Sequence, residues 1–277
     1  MAKVKERTMH IVFLVAACMS ILAVAMICLF MFANGVPAIR KIGFVNFIFG
    51  KTWMPGANKF GIFPMIIGSI YVTAGAIIIG VPIGLLCAIF MAKFCPPKLH
   101  QIMKPAVDLL AGIPSIVYGL FGMLFFVTTC GWGFSILAGA FTLAIMVLPL
   151  IMRSTEEALK AVPDSYREGS FGLGAGKLRT VFRIVLPSAV PGILAGVILA
   201  IGRIVGETAA LIYTAGTVAK VPSNVFGSGR TLAVHMYNLS SEGLYMNQAY
   251  ATAVVLLVLV VLINTISGMI AKRITKS

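Results

Sequence analysis

Charge is scarce in this chain. Only 11% of its 277 residues are Asp, Glu, Lys or Arg, while 60% are hydrophobic. A soluble domain carries about a quarter of its residues as charges. The shortage excludes an ordinary water-soluble fold, which cannot hide so much apolar surface; a bilayer can serve as the solvent instead. Acids are scarcer still, 8 against 22 basic residues, giving a net charge of +14. No paired carboxylates stand within the apolar stretches, and no Ser/His/Asp arrangement offers covalent catalysis, so the chain reads as a transport subunit rather than an enzyme. The phosphate-cradling pattern G-x-x-x-x-G-K-[ST] is missing. Cys18, Cys28, Cys87, Cys95 and Cys130 lack metal-ligand spacing and read as packing residues, as do the 15 methionines. His10, His100 and His235 are scattered in the same way, which excludes a metal site built on them. No repeat of 20–50 residues is visible.

What is present is a series of apolar runs. About 20 apolar residues cross a hydrocarbon core, and six runs qualify: 11–33, 63–91, 106–129, 134–152, 191–214 and 249–271. The first is too long for a signal-peptide core and reads as a retained helix. Basic residues set the orientation. Lys3, Lys5, Arg7, Lys93, Lys98, Lys104, Lys272, Arg273, Lys276 and the six between Arg153 and Arg183 fall on one side. Arg40, Lys41, Lys51, Lys59, Lys220 and Arg230 fall on the other. The excess marks the cytoplasmic side and places both termini there. The net charge is thus a topology signal, and no nucleic-acid partner is implied. Long connections 34–62 and 215–248 face outward, 153–190 faces inward, and the other two read as short turns. Pro64, Pro82, Pro149 and Pro191 are expected to start or kink helices.

The inward segment holds four of the eight acids (Glu156, Glu157, Asp164, Glu168). Ser165-Tyr166-Arg167-Glu168 fits a capping box. Gly172, Gly174 and Gly176 then interrupt the helix, and a second short helix is expected to end at Pro187. Glu168-Gly169-Ser170, three residues, Gly174, nine residues and Ile184-Val185-Leu186-Pro187 resemble the "EAA" loop of ABC importer permeases. The departures are Gly169 and Ser170, where alanines are usual. The resemblance implies an all-α, six-helix membrane fold of the type I importer kind. It divides into residues 1–62, a first helix and outer loop, and 63–277, a five-helix core with a coupling loop at 153–187. It also implies that the loop seats in an ATPase partner, which would bind the ATP and Mg that this chain does not.

Inside the fifth run, Arg203 and Glu207 are the only charges. Ionisable groups at bilayer depth are costly unless paired or facing water. Their i, i+4 spacing puts them on one face of a helix. They are either a structural ion pair or a polar element of a solute path, where an arginine would bond an oxyanion. Gly202 and Gly206 beside them permit close approach, and Gly192 and Gly196 repeat the spacing. Gly202-Arg203-Ile204-Val205-Gly206-Glu207-Thr208-Ala209 is similar to the fifth-helix signature of phosphate-importer permeases. Leu110-Ala111-Gly112-Ile113-Pro114-Ser115-Ile116-Val117-Tyr118-Gly119 is similar to their third-helix segment. That resemblance implies phosphate as cargo and Arg203, Glu207, Thr208 and Ser115 as pathway residues. It further implies a second, related permease chain, two ATPase subunits and an external phosphate-binding protein, with the assembly in the cell membrane among its lipids. Ser115 either lines the path or bonds a backbone carbonyl freed by Pro114. Asp108 reads as a carboxylate at a helix start. The outer loops, with Trp53, His235, Met236, Tyr237, Asn238, Glu242 and Tyr245, are either docking surfaces or interface aromatics. Rival readings are a permease for another oxyanion such as molybdate or sulfate, an ion-driven carrier or channel, and a sensory subunit.

Overall fold

The structure, a computed structural model, describes residues 2–276, with side chains for Glu6 and from Thr8 to Arg273. The side chains of Lys3, Lys5, Arg7 and Lys276, used above to orient the chain, lie outside the described residues. In hydrocarbon every backbone polar group must be bonded within the chain, so apolar runs become helices. Among the described residues five helices are long and apolar enough to cross a membrane, or six if a bent pair counts as one span.

The first, α1 (Ala2–Ile42), outruns its hydropathy span at both ends. It joins the body only near its end, where Gly35 lies against the Tyr250 carbonyl, closer than a Cβ would permit. A short helix, α2 (Phe44–Phe49), and a small hairpin, β1 (Trp53–Met54) and β2 (Lys59–Phe60), follow. Asn58 turns the hairpin with φ 51°, a left-handed conformation that asparagine tolerates. Helix α3 (Phe63–Ile89) begins on Pro64 and ends in a wide π turn, Phe90–Phe94.

Three expectations fail here. The connection after α3 is no short turn but a helix, α4 (Pro97–Gly112). The run 106–129 is not one straight span: α4 breaks at Ile113-Pro114, and α5 (Ser115–Gly122), with a π turn to Thr129, leaves at 96°. Asp108 therefore sits in the last two turns of α4, not at a helix start. The physical reason is Pro114, which denies a donor and pushes Ile113 to extended backbone (φ −70°, ψ 130°).

Helix α6 (Ile136–Lys160) starts on Ser135, whose hydroxyl accepts the Ala138 amide at 3.1 Å. It does not stop at Met152. Two further turns carry Arg153, Glu156, Glu157 and Lys160, where solvated side chains and the Glu156–Lys160 ion pair sustain the helix after hydropathy has ended. Then come α7 (Asp164–Gly172), α8 (Lys177–Thr180), a π turn at Val181–Val185, and α9 (Leu186–Val205). Pro187 does not end a helix, because α8 to α9 run as one span, Lys177–Val205. The wide turn makes room for the ring, and the Ser188 hydroxyl donates to the Ile184 carbonyl at 2.7 Å. After α9 come α10 (Ala209–Ile212), α11 (Leu232–Glu242) and α12 (Met246–Lys276). Pro82, Pro149 and Pro191 all lie inside helices.

The central core packs α3, α5, α6, α9 and α10 through Val72, Ala76, Leu143, Val147, Ile204 and Leu211. A second cluster joins α1, α2, α11 and α12, and a third seats the 164–187 hairpin under α3, α6 and α9 through Ile89, Leu159, Val181 and Val185.

Candidate functional site

The two motif segments, distant in sequence, meet in space. On one side is the bend between α4 and α5. Its brace is Tyr118, 6% exposed, whose hydroxyl donates to the Leu110 carbonyl at 2.7 Å. That carbonyl belongs to the last turn of α4; the Ile113 amide also donates to it at 3.2 Å, and Pro114 leaves it without an i+4 donor. One residue on, Gly119 lies against α10: a Cβ there would fall 2.8 Å from the Ala210 Cα. Gly122 is equally tight against Thr142 and Thr214. No other residue fits these two positions without parting the helices.

On the other side α9 ends at Val205, capped by Gly206. The expectation of Arg203 and Glu207 one turn apart on a continuous helix is overturned. Glu207 and Thr208 lie in the break, and no Arg203–Glu207 ion pair occurs among the described residues. The Glu207 carboxylate turns instead to α10 and accepts the Ala210 amide at 3.2 Å. An acid at a helix N-terminus and a base at a C-terminus each suit the local backbone partial charges. The Arg203 guanidinium is thus exposed and free of a carboxylate, while Glu207 and Thr208 are half-buried. Thr208 contributes its carbonyl to the Leu211 and Ile212 amides at 3.1 and 3.0 Å. Ser115, half-buried at the bend, makes no side-chain hydrogen bond among the described residues.

The glycines separate into two kinds. Gly192 and Gly196 are packing positions against α6, with Cβ positions 2.7 Å from Ala158 and 1.9 Å from Ser154 Oγ. Gly202 faces open space, with nothing within 4 Å, beside Arg203.

The residues that resemble a coupling loop, 168–187, lie in a separate knob. Its first helix starts at Asp164 after Pro163, and no side-chain cap is made, so the capping box at Ser165 is not formed. Asp164 pairs with Arg167 at 2.9 Å instead. Glu168 and Gly169 are exposed. Ser170, 5% exposed, bonds Thr180 Oγ1 at 2.8 Å and ties the two arms together, a contact worth about 1 kcal/mol. Gly174 makes the bend with φ 80°, which glycine adopts without strain. Ile184 and Leu186 are half-buried and Pro187 is exposed, while Leu173 at the tip is 90% exposed.

At the opposite end, His235 is not a docking group. It is fully buried, with Trp53 edge-on at 4.2 Å between ring centroids. Arg230 Nη1 lies 3.1 Å from His235 Nδ1 and its Nε donates to the Thr217 carbonyl at 2.7 Å. An arginine only donates, so Nδ1 is the acceptor and the ring proton is on Nε2. Burial first, and the Arg230 charge second, push the His235 pKa down to about 3. Tyr237 and Glu242 remain exposed, and Tyr245 packs near Phe60.

A bent helix pair, an open arginine beside a helix break and an exposed knob have no covalent chemistry in common. A family model described as binding-protein-dependent transport system inner membrane component matches residues 80–276. The chain belongs to that family. Phosphate transport system permease protein PstC of Mesorhizobium japonicum is 32% identical over 272 residues, covering 88% of this chain and 83% of that protein. Phosphate transport system permease protein PstA 1 of Mycobacterium tuberculosis (strain CDC 1551 / Oshkosh) is 34% identical over 213 residues, 76% of this chain and 70% of that one. Among solved structures, a chain of a bacterial alginate ABC transporter, in complex with a pentasaccharide-bound periplasmic protein, superposes with TM-score 0.69 at 16% identity. It covers 96% of both chains. An inward-facing MetNI methionine ABC transporter chain gives 0.60 at 22% identity, over 78% of this chain and 94% of that one. This member of the inner-membrane-component family is therefore a multi-pass integral membrane protein with a type I importer fold, the permease subunit of an ABC importer. Such a subunit works with a second permease subunit, an ATPase and a periplasmic binding protein. Sequence reading of the family member passed over Tyr118, although it lies inside a quoted motif; the signal was the preceding Ile113-Pro114, which predicts a break that something must brace.

Proposed function

We propose that this chain forms one half of a phosphate pathway and passes to it the stroke of a separate ATPase. The observation that carries the reading is the open Arg203 guanidinium at the α9 break, held beside the α4–α5 bend by Gly119 on Ala210. A guanidinium offers a planar fork of donors that matches two oxygens of a phosphate. With its carboxylate neighbour turned away to cap α10, its donors are uncommitted. Glu207 keeps the site from holding the anion too well, and Thr208 and Ser115 add polar edges to the path. The phosphate permease relatives support this choice of cargo.

In this reading both termini and the 164–187 knob face the cytoplasm. Glu168, Gly169, Ser170, Gly174, Ile184, Leu186 and Pro187 form the knob that seats in the ATPase, and two ATPase subunits supply ATP and Mg. A related permease chain completes the pathway, and an external phosphate-binding protein docks on the opposite face. The first helix and outer loop, residues 1–62, are an addition to the core at 63–277.

The test is ATP-dependent uptake of radiolabelled phosphate by the reconstituted complex, with sulfate and molybdate as competitors. Phosphate should be taken up and the others should compete poorly. Arg203→Gln should lower uptake by roughly ten- to a hundredfold, the effect of losing charge-assisted bonds to an anion, with assembly intact. Wild-type uptake in that variant, or preferential uptake of another oxyanion, would refute the assignment.

A further inference from the structure

Helix α4 is held to the molecule by few apolar contacts and a row of polar ones. It buries no side chain, although its neighbour α3 buries a row of them against α6. Two proline breaks bound it, Pro96-Pro97 before and Ile113-Pro114 after. No helical hydrogen-bond ladder crosses either break, so the helix ladder itself does not set the angle of α4; contacts with other elements must.

Those contacts form a polar seam with α6. Arg153 donates from Nε and Nη2 to the same Asp108 oxygen, at 2.9 and 2.6 Å. One turn further, Glu156 pairs with Lys160 and faces His100 Nε2 at 3.5 Å. His100, Lys104 and Asp108 recur every four residues and so lie on one stripe of α4. The Asp108 and Arg153 side chains are each 45% exposed. Exposed pairs contribute little to overall stability, so stabilising the fold is a poor account of this seam. What such a pair does well is choose between nearby geometries while remaining easy to separate.

The position of the seam gives it something to choose. Upstream of α4, the Phe94 ring lies under the Lys177 ammonium, 5.1 Å from its centroid, at the start of the second arm of the coupling knob. Downstream, Tyr118 bridges the bend to Leu110, only two residues from Asp108, and Gly119 seats on Ala210 beside the Glu207 break. A series of contacts thus runs from the knob, along α4, to the residues of the proposed pathway.

The geometry points to Asp108 and Arg153 as a positioning pair: they set the angle of α4 so that displacement of the coupling knob is delivered through Tyr118 to the α9–α10 break. This inference rests on the permease reading and adds to it the residues that transmit the stroke. Neither residue touches the anion.

The experiment uses the full complex in proteoliposomes with its binding protein, reading radiolabelled phosphate uptake and ATP hydrolysis in the same vesicles. Asp108→Arg and Arg153→Asp should each assemble and hydrolyse ATP, with phosphate moved per ATP reduced roughly fivefold, the scale on which an exposed pair biases an equilibrium. The double variant, which restores the pair with its charges exchanged, should recover to within about twofold of wild type. Tyr118→Phe, which keeps the buried ring and removes the bond to Leu110, should uncouple to a similar extent. Wild-type coupling in the single variants, or a loss that the exchange fails to repair, would overturn the pair; wild-type coupling in Tyr118→Phe would overturn the path through the bend. Stimulation of ATPase by the loaded binding protein is measured alongside. If wild type moved no phosphate, the cargo assignment would fail, while the loss of that ATPase stimulation in the single variants and its recovery in the double variant would still decide on the pair.

Discussion

The two ends of the molecule are held together by opposite chemistry. At one end, the β1–β2 hairpin, residues 215–231 and α11 close over buried neutral groups. His235 lies under Trp53, the Leu232 amide donates to Ser69 Oγ at 2.9 Å, and the Arg230 carbonyl presses on Gly68 where a Cβ would come within 2.4 Å. At the other end the knob is seated by the buried Ile89, Leu159, Val181 and Val185, but α4 meets the extension of α6 through the Asp108–Arg153 pair, each side chain 45% exposed. Packed neutral contacts of the first kind have no partial substitute in water, so they hold one arrangement. Ion pairs of the second kind exchange readily with solvent. In the proposed function, a subunit driven from the knob side would need its yielding contacts there and its fixed frame on the other side.

The largest test of that contrast is a cavity in the fixed end. Leu232 is fully buried, and Leu232→Ala should lower unfolding stability by about 2–5 kcal/mol, read as a thermal or denaturant midpoint in detergent. A change within error would place the frame elsewhere. Acid is the next probe. His235 is neutral in the folded chain with its pKa near 3, whereas an unfolded histidine titrates near 6.5. Between those values the unfolded chain binds the extra proton, so stability falls as pH drops through 6.5. From pH 7 to pH 5 the loss from this group should be about 2 kcal/mol, and His235→Phe should remove that slope.

Smaller effects belong to the yielding end. Gly174→Ala forces a side chain into φ 80° and should cost about 1 kcal/mol, visible as faster backbone amide exchange across 169–176 with the spans unchanged. Asp108→Ala should cost less than about 1 kcal/mol, and 0.5 M salt should shrink even that. A Asp108→Ala effect equal to that of Leu232→Ala would erase the distinction between the ends.

Much of this architecture was legible from composition. Apolar length gave the crossings, and the spacing from Glu168 to Pro187 gave the knob. What escaped had a common cause: hydropathy is blind to where a backbone turns within an apolar run. The run 106–129 bends by 96° without losing apolar character. The run 191–214 breaks after Val205, and Gly206 was a cap signal masked by the continuing apolar sequence. Reading that run as one helix placed Arg203 and Glu207 face to face, when the break turns the carboxylate to Ala210. Charges past Met152 read as loop from sequence, because a solvated helix and a loop share the same polarity. Asp108 was assigned to its own helix end because its partner, Arg153, lies 45 residues away.

The π turn at Val181–Val185 sits between the knob and α9. Such a turn stores one residue more than an α turn. If the surplus residue passes along the helix, each position it crosses screws by about 100° and 1.5 Å relative to the axis. Helices such as α9 would then not have to bend or slide bodily to answer a push from below. They would need only to hand one spare residue upward, as a rucked carpet moves across a floor by moving its fold.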